Sequence, residues 1–306
     1  MTTADWIVLA ASQLFIVLYG IYKSRGQQSL NDYYKGGNSM NWFTVGLSIM
    51  ATQASAITFL SAPGQAYEEG MGFVQFYFGL PLAMVVLSIT AVPLYHKMNV
   101  TTAYEFLEKR FDLKTRLVAA ILFLTQRGLA AGFTIFAPSL VLSSILGWNI
   151  NITTIIIGLI VVIYTVTGGT KAVSATQKTQ MAIILFGMFF AGWWMVRLLP
   201  GNMGLGDALH IAGSMEKLNV IDTTFDLKNK YSIWSGLIGG FFLALSYFGT
   251  DQSQVGRYLT ASSITQSRMG LLFNGIFKIP MQFGILMIGA ILYVFYLFYT
   301  PPLFFN

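Results

Sequence analysis

Cysteine is absent from the chain, histidine occurs twice, and only one residue in ten is charged. Without cysteine there are neither disulfides nor thiolate metal ligands. A charged fraction of 10% is far below the quarter or so typical of soluble domains. The sequence also has no nucleophile elbow and no glycine-rich phosphate loop, so no soluble catalytic constellation is present and no enzyme is expected. The topology below puts His96 and His210 on opposite sides of a membrane, so they cannot share a metal ion.

What the chain has is apolar length. Hydrophobic residues make up 55% of it, and mean hydropathy is +0.64. Eight apolar stretches run approximately over 6–22, 42–64, 72–95, 117–146, 151–167, 178–199, 232–250 and 269–298, each close to or above the roughly 20 residues that a spanning helix needs. The lipid bilayer is therefore the chain's solvent. A net charge of +6 and pI near 9.4 would suggest nucleic acid in a soluble protein. Here 12 of the 18 Lys and Arg fall in alternate loops: Lys23, Arg25 and Lys35, then Lys97, Lys109, Arg110, Lys114 and Arg116, then Lys171 and Lys178, then Arg257 and Arg268. No nucleic-acid partner is expected. The positive-inside rule places those loops in the cytoplasm and the N-terminus outside. The N-terminus lacks a basic n-region and carries Asp5, so it does not read as a cleaved signal peptide. A bacterial inner membrane is the simplest home.

The second apolar stretch is interrupted. Its middle reads Ala51-Thr52-Gln53-Ala54-Ser55-Ala56, small and polar where a lipid-facing helix carries Leu and Ile. Unwound backbone at membrane depth is tolerated where it lines a cavity or an ion site, and interrupted segments mark transporter binding sites near the midplane. Small residues also serve close helix packing. Arg127 lies eleven residues past Arg116, about 16 Å along a helix. Lys278 lies ten residues past Arg268, about 15 Å deep. Both cations thus reach the level of Ala51–Ser55, and three polar features at one depth argue for a cavity. Arg127 suits a carboxylate or, equally, backbone carbonyls freed by a broken helix. Lys278 precedes Pro280, which loosens the local backbone bonding; an internal ion pair is the structural alternative. For Asp251, Arg257 in the same turn is the expected partner. Tyr247 reads as a gate or as one core aromatic among 46. In the loops, Thr101–Arg110 predicts a short interfacial helix with Glu108 near basic partners, and Gly201–Lys217 a surface helix. Gly168-Gly169 and Gly239-Gly240 read as turn or packing positions.

Several runs are specific in their combined order: Asp32-Tyr33-Tyr34-x-Gly36-Gly37, Gly46-Leu47-Ser48, Ala51-Thr52-x-x-Ser55-Ala56-x-Thr58-Phe59, Pro63-Gly64-x-Ala66-Tyr67, Tyr104 to Phe111, Gly168-Gly169-x-Lys171-Ala172-Val173, and Tyr247-Phe248-Gly249-x-Asp251-Gln252-x-Gln254-Val255-x-Arg257-Tyr258-Leu259-Thr260. Together they resemble the sodium:solute symporters, the family of sodium/glucose, proline, pantothenate, iodide and multivitamin transporters. Phe136-Ala137-Pro138-Ser139-Leu140 is similar to the branch that carries monocarboxylates, iodide and vitamins.

The resemblance implies an all-α membrane fold with a LeuT-like core of two five-helix inverted repeats. Residues 6–22 would be an extra helix, 42–199 the first repeat, and 232–298 two helices of an incomplete second. It implies co-transported sodium bound by the backbone carbonyls of Ala51 and Ala54, its other ligands lying on a helix that this chain does not contain. Solute contacts map to Gln53, Ser55, Thr58, Phe73, Tyr77, Arg127 and Lys278, with Tyr247 at the inner gate. The implied activity is sodium-coupled symport of a small organic solute, a carboxylate or other anion, by alternating access. A non-transporting membrane sensor or an inactive symporter fragment is the alternative, since the Pro301-Pro302 end reads as cut short. Two positions depart from the family pattern. Thr176-Gln177 replaces Thr-Asp, which leaves a second sodium or its exit route open, and Gly256 replaces a commoner polar residue.

Overall fold

The computed structural model describes residues 3–24, 34–201, 203–226 and 229–300. Asp32, Tyr33, Arg25 and the Pro301-Pro302 terminus lie outside the described residues, as does the side chain of Lys171. Apolar runs of this length satisfy their backbone polar groups internally in lipid, and the architecture is accordingly helical. In order come α1 (Thr3–Ser24), α2 (Trp42–Gln53), α3 (Ala56–Glu69), a 3-10 segment (Met71–Tyr77), α4 (Leu80–Ile89), α5 (Ala91–Lys97), α6 (Ala103–Arg110), α7 (Leu113–Leu146) and α8 (Ile150–Arg197). Then follow α9 (Leu205–Ser214), a π-helical turn (Ser235–Gly239), α10 (Gly240–Thr250), α11 (Gln252–Tyr258) and α12 (Ile264–Phe298).

Every one of the eight apolar stretches contains a helix. Four segments are long and apolar enough to cross a membrane: Met71–Lys97, Leu113–Leu146, Val173–Arg197 and Ile264–Phe298. The pair interrupted after Gln53 makes a fifth if taken as one span, and Asp5–Gly20, Ile150–Ile163 and Ser235–Thr250 are shorter apolar helices.

Local chemistry sets the helix ends. Asn41 caps α2 by accepting from the Thr44 N–H at 2.9 Å, and Asp112 caps α7 by accepting from the Thr115 N–H at 2.8 Å. The expected interfacial helix is α6. Thr102 accepts from the Glu105 N–H at 3.2 Å, while the Glu105 carboxylate accepts from the Thr101 N–H at 2.7 Å, close to a capping box. Glu108 pairs with Arg116. The expected surface helix is α9.

One expectation is corrected. Lys171 and Lys178 were expected in a loop between 151–167 and 178–199, but the backbone is helical throughout Ile150–Arg197. That segment holds no proline to break the ladder. A helix of 48 residues is about 72 Å long at 1.5 Å per residue, more than twice a hydrocarbon core. The Lys178 Nζ lies 5.7 Å from the centre of the Phe43 ring.

The chain divides into two compact units. The first comprises Met1–Ile57, Val86–Gln180 and Tyr247–Phe273; the second, Thr58–Val85, Met181–Ser246 and Asn274–Asn306. Val45, Ile49, Val92, Val255, Tyr258 and Leu271 are fully buried in the first. The second is built on Ala62, Ala66, Met71, Val74, Leu286, Ala290 and Val294. Gly240 packs as expected: a Cβ there would sit 2.3 Å from the Phe76 carbonyl oxygen. Its neighbour Gly239 has open space.

Candidate functional site

The cation candidates lie in the first unit, where α2 stops. Ala54 has φ −86° and ψ 90°, extended rather than helical, and Ala54-Ser55 forms a two-residue break before α3. Stopping a helix strips its last carbonyls of their i+4 partners. The Ala54 N–H is shared between the carbonyls of Met50 and Ala51, each at 3.1 Å. The Ala51 oxygen thus accepts a bond at the electronegative end of α2. Gln53 and Ser55 are half-buried beside it.

Gln177 ties α8 to this end of α2. Its Oε1 accepts from the Ser48 hydroxyl at 2.7 Å, and its Nε2 donates to the Thr52 hydroxyl at 3.3 Å. Thr52 in turn donates to the Ser48 carbonyl at 2.7 Å, and Ser174 stands 3.3 Å from the Ser48 hydroxyl. Gln177, Ser48 and Thr52 thus close a ring of neutral hydrogen bonds.

Arg127, on α7 in the same unit, is paired with Asp251. Its Nη2 donates to both carboxylate oxygens, at 2.9 and 2.7 Å, and also contacts the Ser253 hydroxyl. Asp251 is only 11% exposed and caps α11 through the Ser253 N–H at 2.8 Å. This corrects the assignment of Asp251 to Arg257: the guanidinium that takes the carboxylate comes from α7. Two turns of sequence-distant chain meet there, which proximity along the sequence could not reveal. Tyr247 joins the same neighbourhood. Its hydroxyl accepts from Gln254 Nε2 at 2.8 Å and interacts with Arg127.

The second unit holds Thr58, Phe73, Tyr77 and Lys278. Thr58 is half-buried at the start of α3. Phe73 and Tyr77 are one turn apart in the 3-10 segment and meet edge to face at 5.7 Å. Lys278 is 1% exposed, and its Nζ lies 5.7 Å from the Tyr77 ring centre. Among the described residues the ion pairs are Lys109–Glu105, Arg116–Glu108 and Arg127–Asp251. Lys278 is in none of them. Phe73, Tyr77 and Lys278 are thus brought together, as are Arg127 and Tyr247.

Sequence reasoning missed the residue between the two aromatics. Gln75 is 1% exposed; it donates to the Tyr231 carbonyl at 2.8 Å and accepts from the Asp222 N–H at 2.9 Å. The Tyr231 ring stands edge-on to Phe73 at 5.3 Å. Asp222 is itself braced: hydrogen bonds from the Thr224 hydroxyl and N–H, with one from Asn229, hold its carboxyl below the usual range. A polar residue inside an apolar run was the available signal for Gln75. Asn274 and Gln282, buried on α12, carried the same signal.

Known proteins align with this arrangement over most of its length. The model of the sodium:solute symporter family matches residues 33–303. The human sodium/iodide cotransporter is 31% identical over 274 residues, 89% of this chain and 42% of the relative. Sodium-coupled monocarboxylate transporter 1 of Xenopus laevis is 30% identical over 276 residues, 89% of this chain and 44% of the relative. The sodium-dependent multivitamin transporter of Oryctolagus cuniculus is 27% identical over 301 residues, 95% of this chain and 46% of the relative. Among solved structures, a Na+-coupled sialic acid symporter in a substrate-bound outward-open state superposes with a TM-score of 0.87 at 26% identity, covering 97% of this chain and 61% of that one. This chain therefore spans less than half the length of these curated relatives. These relatives are named as transporters, and the fold is the all-helical, LeuT-like inverted-repeat fold. With the family match running through nearly the whole chain, the chain belongs to the sodium:solute symporter family.

Proposed function

We propose that this chain binds sodium and a small organic anion and serves their coupled inward symport by alternating access. One observation carries the reading: among the described residues Lys278 is buried without a carboxylate partner, whereas Arg127 has Asp251. Burying an unpaired ammonium is costly. Such a charge is retained where a ligand supplies the counter-charge, and intramembrane ionisable residues mark substrate pathways. Relatives named for iodide and for monocarboxylates act on anions, which agrees with this choice.

Sodium, a hard cation, takes oxygen ligands; the carbonyls of Ala51 and Ala54 are this chain's share of them, favoured by the negative end of α2. Gln53, Ser55, Thr58, Phe73 and Tyr77 contact the solute, Lys278 takes its charge, and Tyr247 gates the inner side. Arg127 acts as a brace on Asp251. The basic loop from Lys97 to Arg116 faces the cytoplasm of a bacterial inner membrane, with the N-terminus outside. Residues 6–22 form the extra helix, 42–199 the first repeat and 232–298 part of the second.

The test is binding of radiolabelled pentanoate to the purified chain in sodium and in potassium. Binding that needs sodium, and that Lys278→Met abolishes, is the expected result. Equal binding in both salts, or full binding by Lys278→Met, overturns the assignment.

A further inference from the structure

Lys278 does not stand alone on its helix. Asn274, Lys278 and Gln282 recur every four residues on α12 and so share one face. All three are fully buried, with exposures of 0%, 1% and 0%. Successive members are about 6 Å apart along the axis. Elsewhere in the second unit a buried amide is used at both ends, as Gln75 is by Tyr231 and Asp222. On this face the amides are not. Among the described residues neither Nε2 nor Oε1 of Gln282 has a hydrogen-bond partner, and the same holds for Oδ1 of Asn274. The Asn274 Nδ2 reaches only the Met84 sulfur, at 3.8 Å, a weak acceptor. Whichever way that amide is turned, one end is left over.

Buried polar groups are almost always satisfied, so two exceptions on one face, flanking a buried lysine that is in none of the ion pairs among the described residues, call for a partner. The leftover groups differ in kind. Lys278 offers positive charge and donors, Asn274 an acceptor, and Gln282 one of each. A halide or a short plain acid can answer Lys278 but offers no donor to Asn274. An acid carrying a hydroxyl or N–H one such step from its carboxylate answers two members at once.

We infer that Asn274 and Gln282 are specificity-determining residues, which with Lys278 select an organic acid bearing a second polar group about 6 Å from its carboxylate over a halide or an unsubstituted acid. This rests on the reading of Lys278 as the anion contact. Sites built to hydrogen-bond a substrate hydroxyl reject the analogue that lacks it, because their own polar groups are then left unpaired.

The experiment is competition against radiolabelled pentanoate on the purified full chain in sodium, using pentanoate, 5-hydroxypentanoate and iodide. The hydroxylated acid is expected to compete about tenfold better than pentanoate, with iodide weakest. In Asn274→Leu or in Gln282→Leu that ratio is expected to fall to about one. Asn274→Asp keeps the side-chain shape and places a carboxylate one turn from Lys278, so it is expected to remove binding of both acids. Equal competition by the two acids in the unaltered chain, or a ratio that survives both leucine variants, overturns the inference and leaves the anion reading standing; water then fills the face. Undiminished acid binding by Asn274→Asp overturns it independently of how the leucine variants fold. If no anion binds in sodium at all, the anion reading fails, and this inference fails with it.

Discussion

Arg127 and Lys278 look alike in the sequence, each a lone cation about three turns inside an apolar run. The structure gives them opposite settings. Arg127 donates twice to Asp251 and touches Ser253, so its charge is neutralised by the fold itself. Lys278 has an aromatic ring nearby and, among the described residues, no carboxylate partner. A paired charge contributes to stability only as the difference between attraction and desolvation, and breaking it leaves the other partner exposed to that cost. An unpaired one is a standing cost that function has to explain. Residue type and depth therefore do not distinguish a brace from a binding group. The partner does.

The largest effect that tests this difference is on Lys278. Lys278→Met should weaken sodium-dependent pentanoate binding by about 100-fold while leaving the thermal midpoint unchanged or raised, because a buried unpaired ammonium has been replaced by an apolar chain of similar length. Arg127→Met should do the reverse. With Asp251 left unpaired, stability should fall by about 1–3 kcal/mol, discounted from the fully buried case because Arg127 is 34% exposed. Pentanoate affinity should change little. Adding Asp251→Asn should restore much of the lost stability, since the orphaned carboxylate is gone. The mirror result, with binding lost in Arg127→Met and kept in Lys278→Met, would exchange the two roles. Thermal unfolding and equilibrium binding on the same preparations separate these outcomes.

The fold was legible because its signal is additive. Eight apolar stretches, each near the length of a bilayer crossing, point to helices regardless of their neighbours. The break at Ala54 was legible for the same local reason, and so were the Thr102 cap and α9. What failed needed long-range information. Asp251 was matched to Arg257 six residues away, but its guanidinium comes from a residue 124 positions distant. The loop expected around Lys171 and Lys178 rested on charge, on Gly168-Gly169 and on the gap between two apolar stretches, none of which by itself ends a helix. Asn274 and Gln282 were overlooked although their spacing with Lys278 is visible in the sequence. One cation drew attention as a point, where the informative object was a face.

The next effect in size concerns Gln177. Leucine there removes both hydrogen bonds that tie α8 to Ser48 and Thr52, and should cost about 1–2 kcal/mol, read as a lower thermal midpoint. The smallest is at Thr102, whose hydroxyl caps α6. Thr102→Ala should cost about 1 kcal/mol or less and leave pentanoate binding unchanged. The site is a demanding control because α6 is not remote from the first unit's charges. The Ala103 N–H donates to Gln252 Oε1 at 2.9 Å, and Gln252 adjoins Asp251 in the chain. Loosening the cap therefore loosens the support under the Arg127 pair without touching either charge. If Thr102→Ala lowers stability alone, the first unit's network is a brace. If it weakens pentanoate binding as much as Lys278→Met does, the network is coupled to the solute, and partner satisfaction does not separate structure from function in this chain.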